Sequence, residues 1–208
     1  MIEGLIAIEG IDGSGKSTQA KLLSDFSKTF FPTNNKGKTC NLLFEREPTS
    51  GPVGKLIREI LSGKTKVDHT TLEFLWAADR KDHVIQIKKE IEDNNIIVTD
   101  RYAYSAIAYA ADNEAHSIAR KLKETFFDDA EYLVFLDIPP EEAIKRLDDR
   151  SGNAEIYENI SKLQSVHSRY MDVLNEIKDG PTKVIVINAL QHPEKIHQEI
   201  IEKIHYFN

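Results

Sequence analysis

The run Gly10-Ile11-Asp12-Gly13-Ser14-Gly15-Lys16-Ser17-Thr18 carries the fixed positions of the pattern G-x-x-x-x-G-K-[ST]. Glycines at this spacing allow backbone N–H groups to turn inward around phosphate oxygens, with no Cβ in the way. A helix opening after them adds the positive end of its dipole. Lys16 brings a point charge for β- and γ-phosphates, and the Ser17 hydroxyl is a magnesium ligand of the kind such loops use. Gly10, Ile11, Asp12, Gly13, Ser14, Gly15, Lys16, Ser17 and Thr18 are therefore the candidate seat of a nucleoside triphosphate. The context fits. Leu5-Ile6-Ala7-Ile8-Glu9 reads as a strand leading in, and Gln19, Ala20, Leu22, Leu23 and Phe26 read as a helix leading out.

Triphosphate binding alone serves a switch, an assembly ATPase or a kinase. A guanine-binding switch calls for Asn-Lys-x-Asp near the end of a late strand. The only Asn-Lys is in Asn35-Lys36-Gly37-Lys38, early in the chain and without the aspartate. Asp149-Arg150-Ser151-Gly152 spells D-x-x-G but follows the fourth strand, and reads as a loop coincidence. A kinase of a small acceptor needs further cations to hold that acceptor in line with the γ-phosphate. Arg46 in Arg46-Glu47-Pro48, Arg80 in Ala77-Ala78-Asp79-Arg80 and Arg101 in Asp100-Arg101-Tyr102 are the candidates. Arg46 and Arg101 fall at strand ends, where ligands gather in open α/β sheets. Another nucleotide or deoxynucleoside kinase, a P-loop GTPase or ATPase switch, and a catalytically silent binding protein stay open as alternatives.

The elements that must position these residues are legible as an alternation. Short β-rich runs, Leu5–Glu9, Thr39–Phe44, Ile96–Asp100, Tyr132–Asp137 and Lys183–Ile187, are separated by longer helical patterns. Near-continuous apolar character suits strands covered on both faces, and the spacers are long enough for crossover helices. One helix is expected over about Ile156 to Lys178, with Ile156, Ile160, Leu163, Tyr170, Leu174 and Ile177 on its apolar face. A second starts near Pro139-Pro140-Glu141-Glu142, and a third at Pro193-Glu194 with the stripe Ile196, Ile200 and Ile204. The expected fold is a three-layer α/β P-loop domain, a five-stranded parallel sheet flanked by helices.

At 208 residues the chain fits a single domain, 1–208. A net charge of −7 argues against broad binding to nucleic acid. No apolar run reaches the length of a membrane span, and Met1-Ile2-Glu3-Gly4 lacks the features of a signal peptide, so no membrane association is expected. The lone Cys40 forms no intrachain disulfide, which suits a reducing cytoplasm, and its apolar neighbours mark it as a buried small hydrophobe. The seven histidines show no zinc-site spacing.

Glu9-Gly10-x-Asp12-Gly13-x-Gly15-Lys16-Ser17-Thr18-Gln19, Arg46-Glu47-Pro48, Ala77-Ala78-Asp79-Arg80, Asp100-Arg101-Tyr102, Leu136-Asp137-Ile138-Pro139 and Glu155-x-Tyr157-Glu158-Asn159 together resemble the ordered motifs of thymidylate kinases. The resemblance covers nearly the whole chain. It implies phosphorylation of dTMP to dTDP with ATP as donor and Mg²⁺ as cofactor, in dTTP synthesis, by a cytoplasmic homodimer. It further implies that Arg46 and Arg101 clamp the acceptor 5′-phosphate, a task suited to the guanidinium fork. Trp76, where the family usually carries phenylalanine, would stack on thymine, with Arg80 at its carbonyl edge and Ser105 hydrogen-bonding the base. Tyr109 would crowd a 2′-hydroxyl, Asp12 would meet the 3′-hydroxyl, and Asp100 would hold magnesium water or orient Arg101. Ser14 stands where one subtype carries a loop arginine, so the resemblance is to the subtype whose lid supplies that charge. The segment at about 145–156, Lys145-Arg146-Leu147-Asp148-Asp149-Arg150-Ser151-Gly152-Asn153 at its core, is the expected lid, with Arg150 as donor and Arg146 as understudy.

Overall fold

The computed structural model describes residues 1–34, 36–151 and 156–207, the side chains of 149–151 and 156–159 excepted. Strands β1 (Ile2–Glu9), β2 (Leu42–Arg46), β3 (Ile96–Asp100), β4 (Ala130–Asp137) and β5 (Lys183–Asn188) form one parallel sheet in the order β2-β3-β1-β4-β5. Helices α1 (Lys16–Phe26), α2 (Pro52–Leu61), α3 (His69–Glu92), α4 (Ala103–Tyr109), α5 (Asn113–Phe126), α6 (Pro140–Ser151), α7 (Ile156–Ile177) and α8 (Pro193–Lys203) surround it. Leu5, Ile6, Ala7 and Ile8 of β1 are wholly buried, as is all of β3. Runs so apolar can only lie between two helical layers, which is the three-layer α/β architecture expected of them. Each buried Leu, Ile or Val among them contributes about 1.5–3 kcal/mol, so the centre of the sheet is a firm base for loops at its carboxyl edge.

The bounds of one strand differ from the sequence expectation, and the expected lid segment starts inside a helix. Strand β2 does not occupy Thr39–Phe44. The Cys40 N–H donates to the Pro32 carbonyl at 2.8 Å and Thr33 bridges Thr39, so residues 39–41 close a turn. The ladder instead runs on to Arg46, opposite Asp100 of β3. The expected lid from Lys145 begins as helix, because α6 continues through Ser151. Ala143, Ile144 and Leu147 sustain its buried stripe for another turn. The remainder of that segment, 152–155, lies outside the described residues. Cys40 is free and buried, as expected. Ile196, Ile200, Ile204, Leu163, Tyr170 and Leu174 are buried on their helices or just beyond them.

Helix α3 is the element whose sequence looks least like its environment. Asp68 caps it, accepting the Thr71 N–H at 2.9 Å. Its inward face then carries Glu73, Asp79, Arg80 and His83 ahead of Val84 and Ile87. The loop after β2 supplies partners for most of these. Asp79 accepts from the Thr49 N–H and hydroxyl at 2.8 and 2.6 Å. Glu47 receives Arg80 Nε at 2.8 Å and meets His83 Nδ1 at 3.1 Å. This is how the segment following Arg46 is fixed to α3.

Glu73 is the exception, with Oε2 buried and unpartnered. Burial, against the opposing charge of Arg80, pushes its carboxyl up from 4.5 to about 7. Between those values the folded chain keeps a proton that the unfolded chain has lost, so stability falls as pH rises through the window. Glu73→Gln, neutral at every pH, is expected to remove that slope and to stabilise the ligand-free protein at pH ~8 by about 2 kcal/mol. Thermal unfolding of both proteins at pH ~5 and ~8 checks this, and parallel pH dependence of the two would refute it.

Candidate active site

The phosphate loop leaves β1 at Glu9 and enters α1 at Lys16, and glycine is required inside it for two reasons. Gly10, Gly13 and Gly15 have φ of 147°, 84° and 100°. A Cβ on Gly13 would also lie 2.4 Å from the Ala143 carbonyl oxygen of α6, and one on Gly10 would lie 2.9 Å from that of Leu136. The loop is thus wedged against the β4–α6 connection. Ile11 and Ser14 bury their side chains completely, so what they offer a ligand is backbone. No side chain caps α1, which leaves its first N–H groups for an anion.

A cleft of about 180 Å³ opens over this loop, lined by Asp12, Gly13, Gly15, Lys16, Ser17, Thr18, Arg46, Asp100, Arg101 and Leu147. Lys16 lies across it, its ammonium donating to the Gly10 and Ile11 carbonyls at 2.9 Å each. Burial first, then the Arg101 charge, brings the Lys16 amine down to about 8. Ser17 Oγ donates to Asp100 Oδ2 at 3.1 Å, while Asp100 Oδ1 is buried without a partner. A hydroxyl and a carboxylate with an uncommitted oxygen, side by side at a phosphate loop, fit a hydrated magnesium ion. No cluster of three or more His, Cys, Asp or Glu metal ligands occurs among the described residues.

Opposite Lys16 stand Arg46, exposed at the end of β2, and Arg101, just past the end of β3. Arg101 holds φ at 76°, the left-handed region that costs a non-glycine residue about 1 kcal/mol or more. Its N–H is fixed to the Ile8 carbonyl at 3.1 Å, and its carbonyl accepts from the Thr99 hydroxyl at 2.8 Å. The guanidinium packs 4.6 Å from the Tyr109 ring centroid. Nη2 donates to Asp12 and, at 3.2 Å, to the Tyr109 hydroxyl, which also accepts the Asp12 N–H at 2.8 Å. Although burial opposes it, the charges of Arg101 and Lys16 hold the Asp12 carboxyl below its ordinary range. Burial pushes the Tyr109 hydroxyl up, so it stays protonated.

The structure therefore brings the loop residues, Arg46, Asp100, Arg101, Asp12 and Tyr109 together. It does not place Trp76, Arg80 or Ser105 on this cleft. Trp76 is half-buried on α3. Arg80 is sealed, its Nη2 lying 2.6 Å from Glu47 and its guanidinium 5.4 Å from the Phe127 ring, which leaves Nη1 without a hydrogen bond among the described residues. Ser105, expected to hydrogen-bond the base, has protein partners of its own. Its hydroxyl donates to Glu9 Oε2 at 2.6 Å and accepts from Arg101 Nη1 at 3.1 Å, facing the interior of the sheet edge. Arg146 donates to the Ala189 carbonyl at 2.7 Å and reaches within 3.5 Å of the Gly13 carbonyl, so it rests on the loop. The Arg150 side chain lies outside those described.

Three buried groups around the site were not singled out from sequence for a role. Glu9 and Glu47 were visible inside their motifs but carried no assignment of their own. Tyr170 falls, in sequence, on the apolar stripe of a helix. The signal was its type, since a phenol buried among aliphatic side chains needs a polar partner.

The thymidylate kinase family model matches residues 8–200 of the chain. A relative from Methanococcus aeolicus, named "Probable thymidylate kinase", is 37% identical over 201 residues, covering 96% of this chain and 94% of the relative. One of the same name from Methanocaldococcus jannaschii is 37% identical over 94% of this chain and 93% of its own. A third, from Thermococcus onnurineus, is 32% identical over 97% of both. With its phosphate loop, opposed arginines and strand order in place along that same span, the chain belongs to the thymidylate kinase family.

Proposed function

We propose that the protein transfers the γ-phosphoryl group of ATP to the 5′-phosphate of dTMP, giving ADP and dTDP for dTTP synthesis. The observation that carries this reading is the opposition, across one cleft, of Lys16 with its glycine loop to the guanidiniums of Arg46 and Arg101. The loop and the α1 N-terminus hold the donor triphosphate, and Lys16 neutralises its β- and γ-oxygens. Arg46 and Arg101 hold the acceptor phosphate in line. An acceptor oxygen forms a bond to the γ-phosphorus as the bridging oxygen departs with ADP, taking the bonding electron pair. That acceptor oxygen is ionised near pH 7, so no side chain has to remove a proton from it. Ser17 and Asp100 would hold Mg²⁺, which would supply charge neutralisation for the triphosphate.

Arg101 receives the acceptor by exchanging one anion for another, since its Nη2 already carries the Asp12 carboxylate. Asp12 is then released to the sugar 3′-hydroxyl. Arg150 or Arg146 adds positive charge to the transferring group. The resting place of Arg146 against the loop supports the second, and α6 carries both. Trp76 stacks on thymine and Arg80 offers its remaining Nη1 to a base carbonyl. The exposed Leu56 and Leu61 of α2 with Phe74 and Ile85 of α3 support pairing of two chains. The free, buried Cys40 is compatible with the reducing cytoplasm. No described helix is long and apolar enough to cross a membrane.

Release of ADP with a panel of dTMP, dUMP, dCMP, UMP, AMP and thymidine tests the assignment. Fast turnover is expected with dTMP alone or foremost, and acceptor-independent hydrolysis at the same rate would replace the kinase reading with a switch or ATPase. Lys16→Ala is expected to abolish transfer while leaving the melting temperature near that of the unmodified protein. Near-normal turnover would remove the loop from the reaction. If the Tyr109 ring fills the space beside the sugar C2′, Tyr109→Ala narrows the deoxy-over-ribo ratio of kcat/KM by about ten-fold, as expected when a steric or hydrogen-bonding penalty of about 1–3 kcal/mol is lifted. Tyr109→Phe keeps the ring and is expected to keep the ratio. A ratio that Tyr109→Ala leaves unmoved would assign sugar choice to another residue, and an equal narrowing by both substitutions would assign it to the Tyr109 hydroxyl rather than the ring.

A further inference from the structure

Behind Arg101, on the side away from the cleft, lies a sealed polar cluster that no step above employs. Glu9, the last residue of β1, is 0% exposed. Its Oε1 accepts the Tyr102 N–H at 2.8 Å, and its Oε2 accepts from the Ser105 and Tyr170 hydroxyls at 2.6 and 2.8 Å. Arg101 Nη1 donates to the same two oxygens, at 3.1 Å to Ser105 and 3.3 Å to Tyr170. A hydroxyl has one proton to give and lone pairs to receive with. The two hydroxyl oxygens also lie 2.8 Å apart, where either can donate, and with their protons turned to Glu9 or to each other their lone pairs face the guanidinium. Glu9 therefore sets the polarity of the whole arrangement. Burial raises its carboxyl above the ordinary range, against the Arg101 charge and the donated hydrogen bonds.

The cluster draws on elements far apart in the chain. Glu9 comes from β1, Ser105 from α4 and Tyr170 from α7, and they meet on one edge of one guanidinium. The opposite edge, Nη2, is the one that meets Asp12 and the cleft. An arginine side chain without such anchorage samples many rotamers, and the in-line geometry of phosphoryl transfer tolerates little misplacement. We infer that Glu9 and Tyr170 are positioning residues for the acceptor: they pin the Nη1 edge of Arg101 so that its Nη2 edge is presented to the acceptor phosphate. The inference rests on the reading of Arg101 as an acceptor clamp. A merely structural cluster would affect folding and both substrates alike.

Steady-state kinetics of the full chain with ATP and dTMP, on Tyr170→Phe, Glu9→Gln, Arg101→Ala and the double variant Arg101→Ala/Tyr170→Phe, test it. Tyr170→Phe deletes one oxygen and is expected to raise KM for dTMP by about ten-fold, the scale of a lost hydrogen bond to a charged group. KM for ATP should stay within about two-fold, with the melting temperature little changed. Glu9→Gln should give the same asymmetry between the substrates. In the Arg101→Ala background Tyr170→Phe should add nothing, because its target is gone. If Arg101→Ala leaves KM for dTMP unchanged, the clamp reading falls and this inference with it. If Arg101→Ala raises it but Tyr170→Phe does not, or raises KM for both substrates equally, or adds its full effect to Arg101→Ala, only the positioning role falls. Should Tyr170→Phe fail to fold, Ser105→Ala, which removes the other oxygen on Nη1, is judged by the same outcomes.

Discussion

A guanidinium charge drawn out of water has to be met by oxygens of other groups, because an unpaired buried charge costs several kcal/mol. Arg101 has a side chain only 14% exposed, and the carboxyl end of the sheet is organised around that requirement. Its inner edge is satisfied through two hydroxyls backed by Glu9, and its outer edge by Asp12 and Tyr109. The left-handed backbone at Arg101 follows from the same demand. It turns the chain sharply from β3 into the α4 connection so that the side chain lies over the end of β1. The buried stretch of β1 from Leu5 to Glu9 and the buried strand β3 supply the rigidity that sustains this strain, since their pairing from Leu5–Ile97 to Ile8–Asp100 leaves the two ends in register.

The phosphate loop imposes a second constraint, of distance rather than charge. Gly13 approaches the first turn of α6 so closely that no side chain fits between them. Arg146, one turn further along α6, ties that helix to the loop at Gly13 and to the end of β5 at Ala189. The helix that leads into the expected lid is therefore in direct contact with the backbone that would hold the donor phosphates. A displacement of α6 cannot leave the loop untouched, and a phosphate drawn into the loop changes the surface against which α6 packs.

What was legible in the sequence was whatever the chain encodes locally. The loop residues Gly10 to Thr18 are contiguous, and their neighbours announce a strand and a helix, so loop and context were readable together. The alternation of apolar runs and helical stripes gave the parallel sheet. Local pattern misleads or falls silent where a distant partner decides. Thr39–Phe44 looks like a strand, but Cys40 bonds to Pro32 and the ladder is set by β3. Lys145 to Ser151 carries loop residues, yet burial of Leu147 and its neighbours extends the helix. The partners of Ser105 are hidden in the same way, since only the folded chain reveals that Glu9, 96 positions away, accepts from its hydroxyl. Tyr170 meets Glu9 across 161 positions, a juxtaposition no periodicity announces.

Arg80 and Arg101 show how one side chain type is fitted to different tasks by its counterion. Arg80 pairs with Glu47, and both are almost completely sealed, at 4% and 1% exposure. Neither can leave without stranding the other's charge, so the pair is permanent and Arg80 is already neutralised before any ligand arrives. An arginine in that state does not call for an anion, but its free Nη1 can donate to a neutral acceptor such as a base carbonyl. Arg101 pairs with Asp12, whose side chain is 53% exposed. Water can take up the carboxylate, so the counterion is exchangeable, and a phosphate dianion can replace it with a gain in charge matching. In the proposed reaction this divides the work. The sealed arginine reads an uncharged edge of the acceptor, and the arginine with the removable partner seizes its phosphate. The anchored edge supplied by Glu9, Ser105 and Tyr170 is what allows the second to exchange partners without losing its place.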